Sequence, residues 1–287
     1  MDTRTGPVMV KWFGDPGRIE VIGSSLRLLH WTAQQGASVV QIITQRNGGE
    51  YHEFGDGLLV VFEYVDGAVG AGNWRSLGRT VARLHMLAPP EYAERSPIAP
   101  RVALPRAYSQ MRSFTAGGNL DAELADYVQR GLELLRELPV FLDVSTGLIH
   151  GDIGIAHTVT RPTGEITFLD TLDIGIGPLV MDFPPILCEH LSHMNEKGFA
   201  DRLDLDAARQ FFDDYQRVRP LSADERESLL VAHQIFMIGR AVRTLEQAIR
   251  SGSSELRTRA IVWFQWLDYV GDMIERDLAP VLRNLPH

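Results

Sequence analysis

Between Leu148 and Asp170 the chain carries two short apolar runs that hold a loop and a turn at fixed spacing. The first, Leu148-Ile149, leads into His150-Gly151-Asp152-Ile153-Gly154-Ile155-Ala156-His157; the second, Ile166-Thr167-Phe168-Leu169, stops at Asp170. Val159 belongs to a short strand, Arg161-Pro162-Thr163-Gly164 has turn composition, and the β-branched and aromatic residues after it favour a second strand. A hairpin over this stretch brings Asp152 and Asp170, eighteen positions apart in sequence, side by side. A Gly-Asp pair alone is common in turns. Ordered elements at this spacing constrain the fold far more.

Two carboxylates in that relation suit phosphoryl transfer, which needs one to orient an attacking hydroxyl and another to hold a divalent cation against the phosphate oxygens. Kinase-type sites present them as H-x-D-x-x-x-x-N followed, a strand later, by a metal-binding Asp. Here His150, Asp152 and His157 fill the loop positions, with His157 where Asn is usual, and Asp170 closes the strand. The segment resembles the aminoglycoside phosphotransferase and choline kinase family, whose motif is H-G-D-x-x-x-x-N and then a strand ending in I-D. Gly177-Pro178 and Asp182-Phe183 match that family's G-P-x-x-x-D continuation, and Leu77 to His85 match one of its helices.

The resemblance implies an α+β, protein kinase-like two-lobe fold. Residues 1–66 would form a shortened N-terminal nucleotide-binding lobe without the usual first two strands and Gly-rich loop. Residues 67–287 would form a mainly helical C-terminal lobe with the catalytic loop and substrate cleft. By the same resemblance Asp152 is catalytic, Asp170 and His157 hold metal, Lys11 meets the nucleotide phosphates, and the Glu63 carbonyl and Val65 amide meet adenine. The implied cofactors are ATP or GTP and magnesium, and the implied acceptor is a hydroxyl of a small molecule, an aminoglycoside-like antibiotic or another natural product.

Two departures bear on this. Only ten residues precede Lys11, and the helix expected from Arg18 to Gln35, which would pair a glutamate with that lysine, has only Glu20 in its first turn and Ser24, Ser25 and Arg27 in its middle. A histidine at position 157 offers nitrogen where magnesium prefers oxygen, so the second metal should be weaker or different. Two further readings follow: a kinase-like subunit acting on peptide Ser or Thr with a partner protein that completes the N-terminal lobe, or a degenerate kinase-like binding protein without catalysis.

Composition narrows the partners. Lysine and arginine total 28 against 37 acidic residues, a formal charge of −9, which argues against nonspecific nucleic-acid binding. Asp213, Asp214, Asp224 and Glu225 could receive a cationic acceptor, although a solvated helix face is the commoner reason for such a cluster. Arg240 and Arg243 leave an anionic one open. Cys188 lies in an apolar stretch and reads as a buried structural thiol. With no signal-peptide core at the start and no apolar run long enough to span a membrane, a cytoplasmic protein is expected.

Elsewhere, Leu58 to Gly67 reads as a buried strand running into a turn. Trp74, Leu77, Val81 and Leu84 recur at helical spacing, and His85 reads as structural. Ala88 to Pro105, rich in Pro and Ala, and Thr115 to Asn119 read as breaks. Helices are expected over Asp121–Leu138, Ala207–Arg217, Ala223–Arg250 and Glu255–Asp277. The last carries a heptad-like stripe of Leu256, Ala260, Trp263, Leu267, Val270 and Ile274, suited to packing on its own lobe or to a homodimer, so monomer and homodimer both stand.

Overall fold

The structure is a computed structural model, and it describes residues 2–3, 6–14, 19–70, 72–118, 120–140, 142–170, 172–194 and 200–284. Along the chain the elements are β1 (Asp2–Thr3), β2 (Gly6–Phe13), α1 (Ile19–Gln34), β3 (His52–Phe54), β4 (Gly57–Glu63), β5 (Ala68–Val69), α2 (Trp74–His85), α3 (Pro100–Ala116) and α4 (Ala122–Glu137). There follow β6 (Thr146–Ile149), a 3-10 turn (Ile155–His157), β7 (Thr158–Thr160), β8 (Ile166–Phe168), β9 (Gly175–Pro178) and α5 (Phe183–Pro185). β10 (Ser192–Met194), β11 (Ala200–Leu203), α6 (Leu205–Val218), α7 (Ala223–Glu227), α8 (Leu229–Ser251), α9 (Ser254–Met273) and α10 (Ala279–Arg283) complete it. This is the mixed architecture, mainly helical towards the C-terminus, that the sequence suggested.

By compactness the chain divides into one unit of residues 1–96, 147–176 and 210–220 and another of residues 97–146, 177–209 and 221–287. That grouping joins the catalytic-loop segment to the N-terminal strands, whereas the expected division at residue 66 follows the chain.

In the first unit, strands run in the order β1-β2-β4-β3. β2 and β4 are antiparallel, with Met9 opposite Phe62, Lys11 opposite Val60 and Phe13 opposite Leu58. Directly opposed residues share a sheet face, so Met9, Lys11 and Phe13 lie on the face of the buried Leu58, Val60 and Phe62. α1 buries Ile22, Leu26 and Leu29 at helical spacing and ends before Gly36, whose φ of +82° takes the left-handed conformation common past a helix end. Arg18, where the expected helix was to begin, lies outside the described residues.

β7 and β8 form the expected hairpin, with Thr158 opposite Phe168 and Thr160 opposite Ile166. Its turn closes by Gly164 N–H donating to the Arg161 carbonyl at 2.8 Å. Further along, α2 approaches α6 closely: a Cβ at Gly78 would stand 2.2 Å from the Phe211 carbonyl oxygen. His85, buried, meets the Tyr215 hydroxyl at 2.8 Å through Nδ1, the structural role expected of it.

The second unit is helical, with α8 packed on α9 and α3. α3 begins inside the break expected over Ala88–Pro105 and ends inside the one expected from Thr115. Pro100 sits at its first position, where no N–H is needed, and Leu104, Ala107 and Met111 are buried along one side, so packing outweighs the bond that Pro105 removes. The single helix expected over Ala223–Arg250 is two: α7 starts on a Ser222–Glu225 capping box and ends at Ser228, after which α8 begins. Of the expected stripe, Ala260 and Ile274 are buried and Leu256, Trp263 and Leu267 half-buried, with Phe264 and Trp266 buried beside them.

Cys188 is buried as expected, and its Sγ lies 2.9 Å from Nε2 of the fully buried His233. Burial, reinforced by Glu189, raises the thiol well above its usual range, and burial pushes His233 down to about 3. His233 thus stays neutral in the fold but takes a proton near pH 6.5 once unfolded, so its contribution is complete above that pH and is lost on acidification towards 3. Between pH 6.5 and 4.5 it should remove roughly 2–3 kcal/mol of stability. Unfolding midpoints followed across that range should fall more steeply for the wild type than for His233→Asn; parallel profiles would contradict it.

Candidate active site

The loop after β6 is shaped by Gly151. Its φ is +90°, and a Cβ there would meet the Asp173 carbonyl oxygen at 2.6 Å, so only glycine fits without backbone movement. His150, fully buried, clasps both ends of the motif: Nε2–H donates to the Leu169 carbonyl at 3.0 Å, and Nδ1 accepts from the Asp152 N–H at 3.3 Å. Its ring packs edge-on against Phe168, centroids 5.3 Å apart. Histidine is used here as a two-ended tie between the loop at Asp152 and the end of β8.

The hairpin delivers the rest. Leu169 N–H donates to the His157 carbonyl at 2.7 Å, which fixes His157 beside the residue that follows, Asp170. His157 Nδ1 lies 3.0 Å from the Asp152 backbone carbonyl and 3.4 Å from Asp152 Oδ2. Both are acceptors, so Nδ1 carries the proton. Nε2 faces Asp170 Oδ2 across 3.9 Å, too far for a hydrogen bond. The imidazole therefore stands between the two aspartates whose juxtaposition the sequence suggested.

Asp170 is the one non-glycine among the described residues with a positive φ, +44°. A residue held there is costly unless its surroundings fix it, and such outliers gather at functional sites. Its Oδ1 lies 2.9 Å from Lys11 Nζ, and Lys11 also stands 4.8 Å over the Phe13 ring. The lysine's acidic partner is thus Asp170 and not a glutamate of α1, on which Glu20 is exposed, Ser24 donates to Glu94 and Ser25 donates to the Leu172 carbonyl.

Lys11, His157 and Asp170 line one cavity of about 290 Å³, whose other walls include Met9, Phe62, Leu26, Val40 and Leu169. Asp152 touches His157 but is not itself among the lining residues. Glu63 and Val65 are not among the lining residues, although their neighbour Phe62 is. The apolar walls escaped the sequence reading because buried leucines and valines look alike whether they face a core or a cavity. Alternation along β2 could have placed Met9 and Phe13 beside Lys11.

Two of the four residues of the acidic cluster are already engaged. Asp214 is buried and receives Arg79 at 2.6 Å, Arg75 at 2.9 Å and Arg217 at 3.2 Å. Glu225, also buried, accepts the Ser222 N–H of its own capping box. Arg240 is likewise engaged, with Glu189 at 3.4 Å and the rings of Phe236 and Trp263 beneath its guanidinium.

The model of the phosphotransferase enzyme family matches residues 6–221, which contain every residue of this constellation. The chain belongs to that family. Solved structures agree on the fold. The amicoumacin kinase hAmiN, in complex with AMP-PNP, Ca2+ and Ami, is 16% identical with a TM-score of 0.65, covering 93% of this chain and 83% of that one. A choline kinase from Cryptosporidium parvum Iowa II is 14% identical with a TM-score of 0.64, covering 91% and 82%. A spectinomycin phosphotransferase in complex with ADP and spectinomycin is 14% identical with a TM-score of 0.59, covering 96% and 87%. None of the curated proteins compared with the sequence matches it.

As a member of the phosphotransferase family the chain is an enzyme with a kinase-like fold. Among the described residues no helix is long and apolar enough to cross a membrane. Nor do they hold a cluster of three or more His, Cys, Asp or Glu suited to a metal ion. Asp170 Oδ2 and His157 Nε2, 3.9 Å apart, are the two atoms here that could serve as donors to a cation.

Proposed function

We propose that this enzyme transfers the γ-phosphate of ATP to a hydroxyl of a small molecule, a natural product such as an aminoglycoside-like antibiotic. The observation that carries this reading is His157 set between Asp152 and Asp170, with Lys11 on Asp170 in the wall of a cavity whose apolar sides suit a nucleobase. Asp152 orients the acceptor hydroxyl and takes its proton late in the transfer. Lys11 neutralises phosphate charge. A divalent cation, when held by Asp170 and His157, neutralises the phosphate oxygens further. His150 and Gly151 keep the Asp152 backbone in place, and Asp152 in turn fixes the His157 tautomer.

Family membership supports the reaction class, and the nucleotides named with hAmiN and the spectinomycin phosphotransferase support ATP as donor. Because Asp214 and Glu225 are already engaged, the acceptor's recognition does not rest on them. Titration with ATP and magnesium should raise the thermal midpoint, equivalent to about 2.7 kcal/mol at a hundred times the dissociation constant, and Lys11→Ala should reduce that rise at equal ligand. No shift with any nucleotide and metal would refute the proposal.

A further inference from the structure

The proposed reaction leaves the identity of the cation open, and His157 bears on it. We infer that His157 makes this site select a first-row transition cation such as Mn2+ over Mg2+, by placing an imidazole nitrogen in the coordination shell. The inference rests on the phosphotransferase reading only in assuming that metal and nucleotide meet at Asp170.

Three observations fix the nitrogen. Nδ1 faces two acceptors of the same residue, the Asp152 carbonyl at 3.0 Å and carboxylate at 3.4 Å, so its proton is committed there. That leaves the lone pair on Nε2, and a hydrogen bond to the far ring nitrogen is how metal-ligating histidines are held in tautomer and orientation. The backbone bond from Leu169 N–H to the His157 carbonyl sets the ring beside Asp170, where Nε2 and Oδ2 stand 3.9 Å apart with no direct bond between them. One cation held by both atoms joins them.

The donor set decides the selectivity. Magnesium strongly prefers oxygen and sheds water reluctantly, while first-row divalent metals accept imidazole readily and gain affinity from it. An asparagine at 157 would offer an amide oxygen and no such preference. The tie from Asp152 also gives that residue a second role, because it positions the metal ligand as well as the acceptor.

The test uses the full chain carrying 15N-labelled histidine and loaded with Mn2+ and unlabelled AMP-PNP. Pulsed electron paramagnetic resonance should show a 15N hyperfine coupling on bound Mn2+ that His157→Asn removes. In competition experiments Mg2+ should displace Mn2+ at least about tenfold less effectively from wild type than from His157→Asn. Bound Mn2+ without the coupling, or equal displacement from both proteins, would overturn the inference and leave the phosphotransferase reading intact. No Mn2+ bound with the nucleotide would overturn both. Coupling present in a protein that turns over no acceptor would uphold the metal assignment alone.

Discussion

Replacing Asp152 by Asn should lower kcat by about 10²–10⁴, the range for losing a positioned general base, while the dissociation constant for ATP with its cation changes by no more than a few-fold. The substitution is nearly isosteric. His150 bonds the backbone N–H of residue 152 and His157 bonds its backbone carbonyl, so neither tie depends on the side-chain carboxylate. An asparagine oxygen can also keep the 3.4 Å contact to His157 Nδ1. What disappears is the ability to take a proton and the charge that orients the hydroxyl, at a cost to the barrier of about 3–5 kcal/mol. Steady-state kinetics together with nucleotide titration by fluorescence or calorimetry separates the two quantities. Turnover within fivefold of wild type would remove Asp152 from the catalytic role.

The β7–β8 hairpin was legible in sequence because its signals are local. Alternation in Ile166 to Phe168, the Pro-Thr-Gly turn and the obligatory glycine of His-Gly-Asp each impose geometry without help from distant residues. What the sequence concealed depends on packing. The first turns of α3, up to Pro105, read as a break, yet burial of Leu104 and Met111 makes them part of a helix. Asp214 reads as one of an acidic cluster, but α2 turns Arg75 and Arg79 onto it and converts it to a buried ion-pair centre. Lys11 was recognisable as a candidate from its strand. Its partner was not, because the pairing with Asp170 joins residues remote in sequence that only the folded unit brings to 2.9 Å.

That pairing sets up the complementary experiment. Asp170→Asn should weaken binding of the metal–nucleotide complex by at least about 100-fold, beyond the 10–100-fold typical of residues that merely support a metal ligand. The fold itself should be unharmed. The side chains of Lys11 and Asp170 are each about a third exposed, 37% and 35%, and ion pairs so open to solvent add little to stability. The left-handed backbone at φ +44° is one that asparagine adopts at least as readily as aspartate, so no strain is introduced. Any loss must then come from the carboxylate. Its removal takes away an anionic donor to the cation and leaves Lys11 without its partner, so nucleotide offered without metal should bind as well as before or better. Measured side by side, Asp152→Asn should retain metal–nucleotide affinity with little turnover, whereas Asp170→Asn should lose the affinity first. The same profile in both variants would mean that the two carboxylates do not divide the work between acceptor and phosphate, and the proposed roles would have to be abandoned.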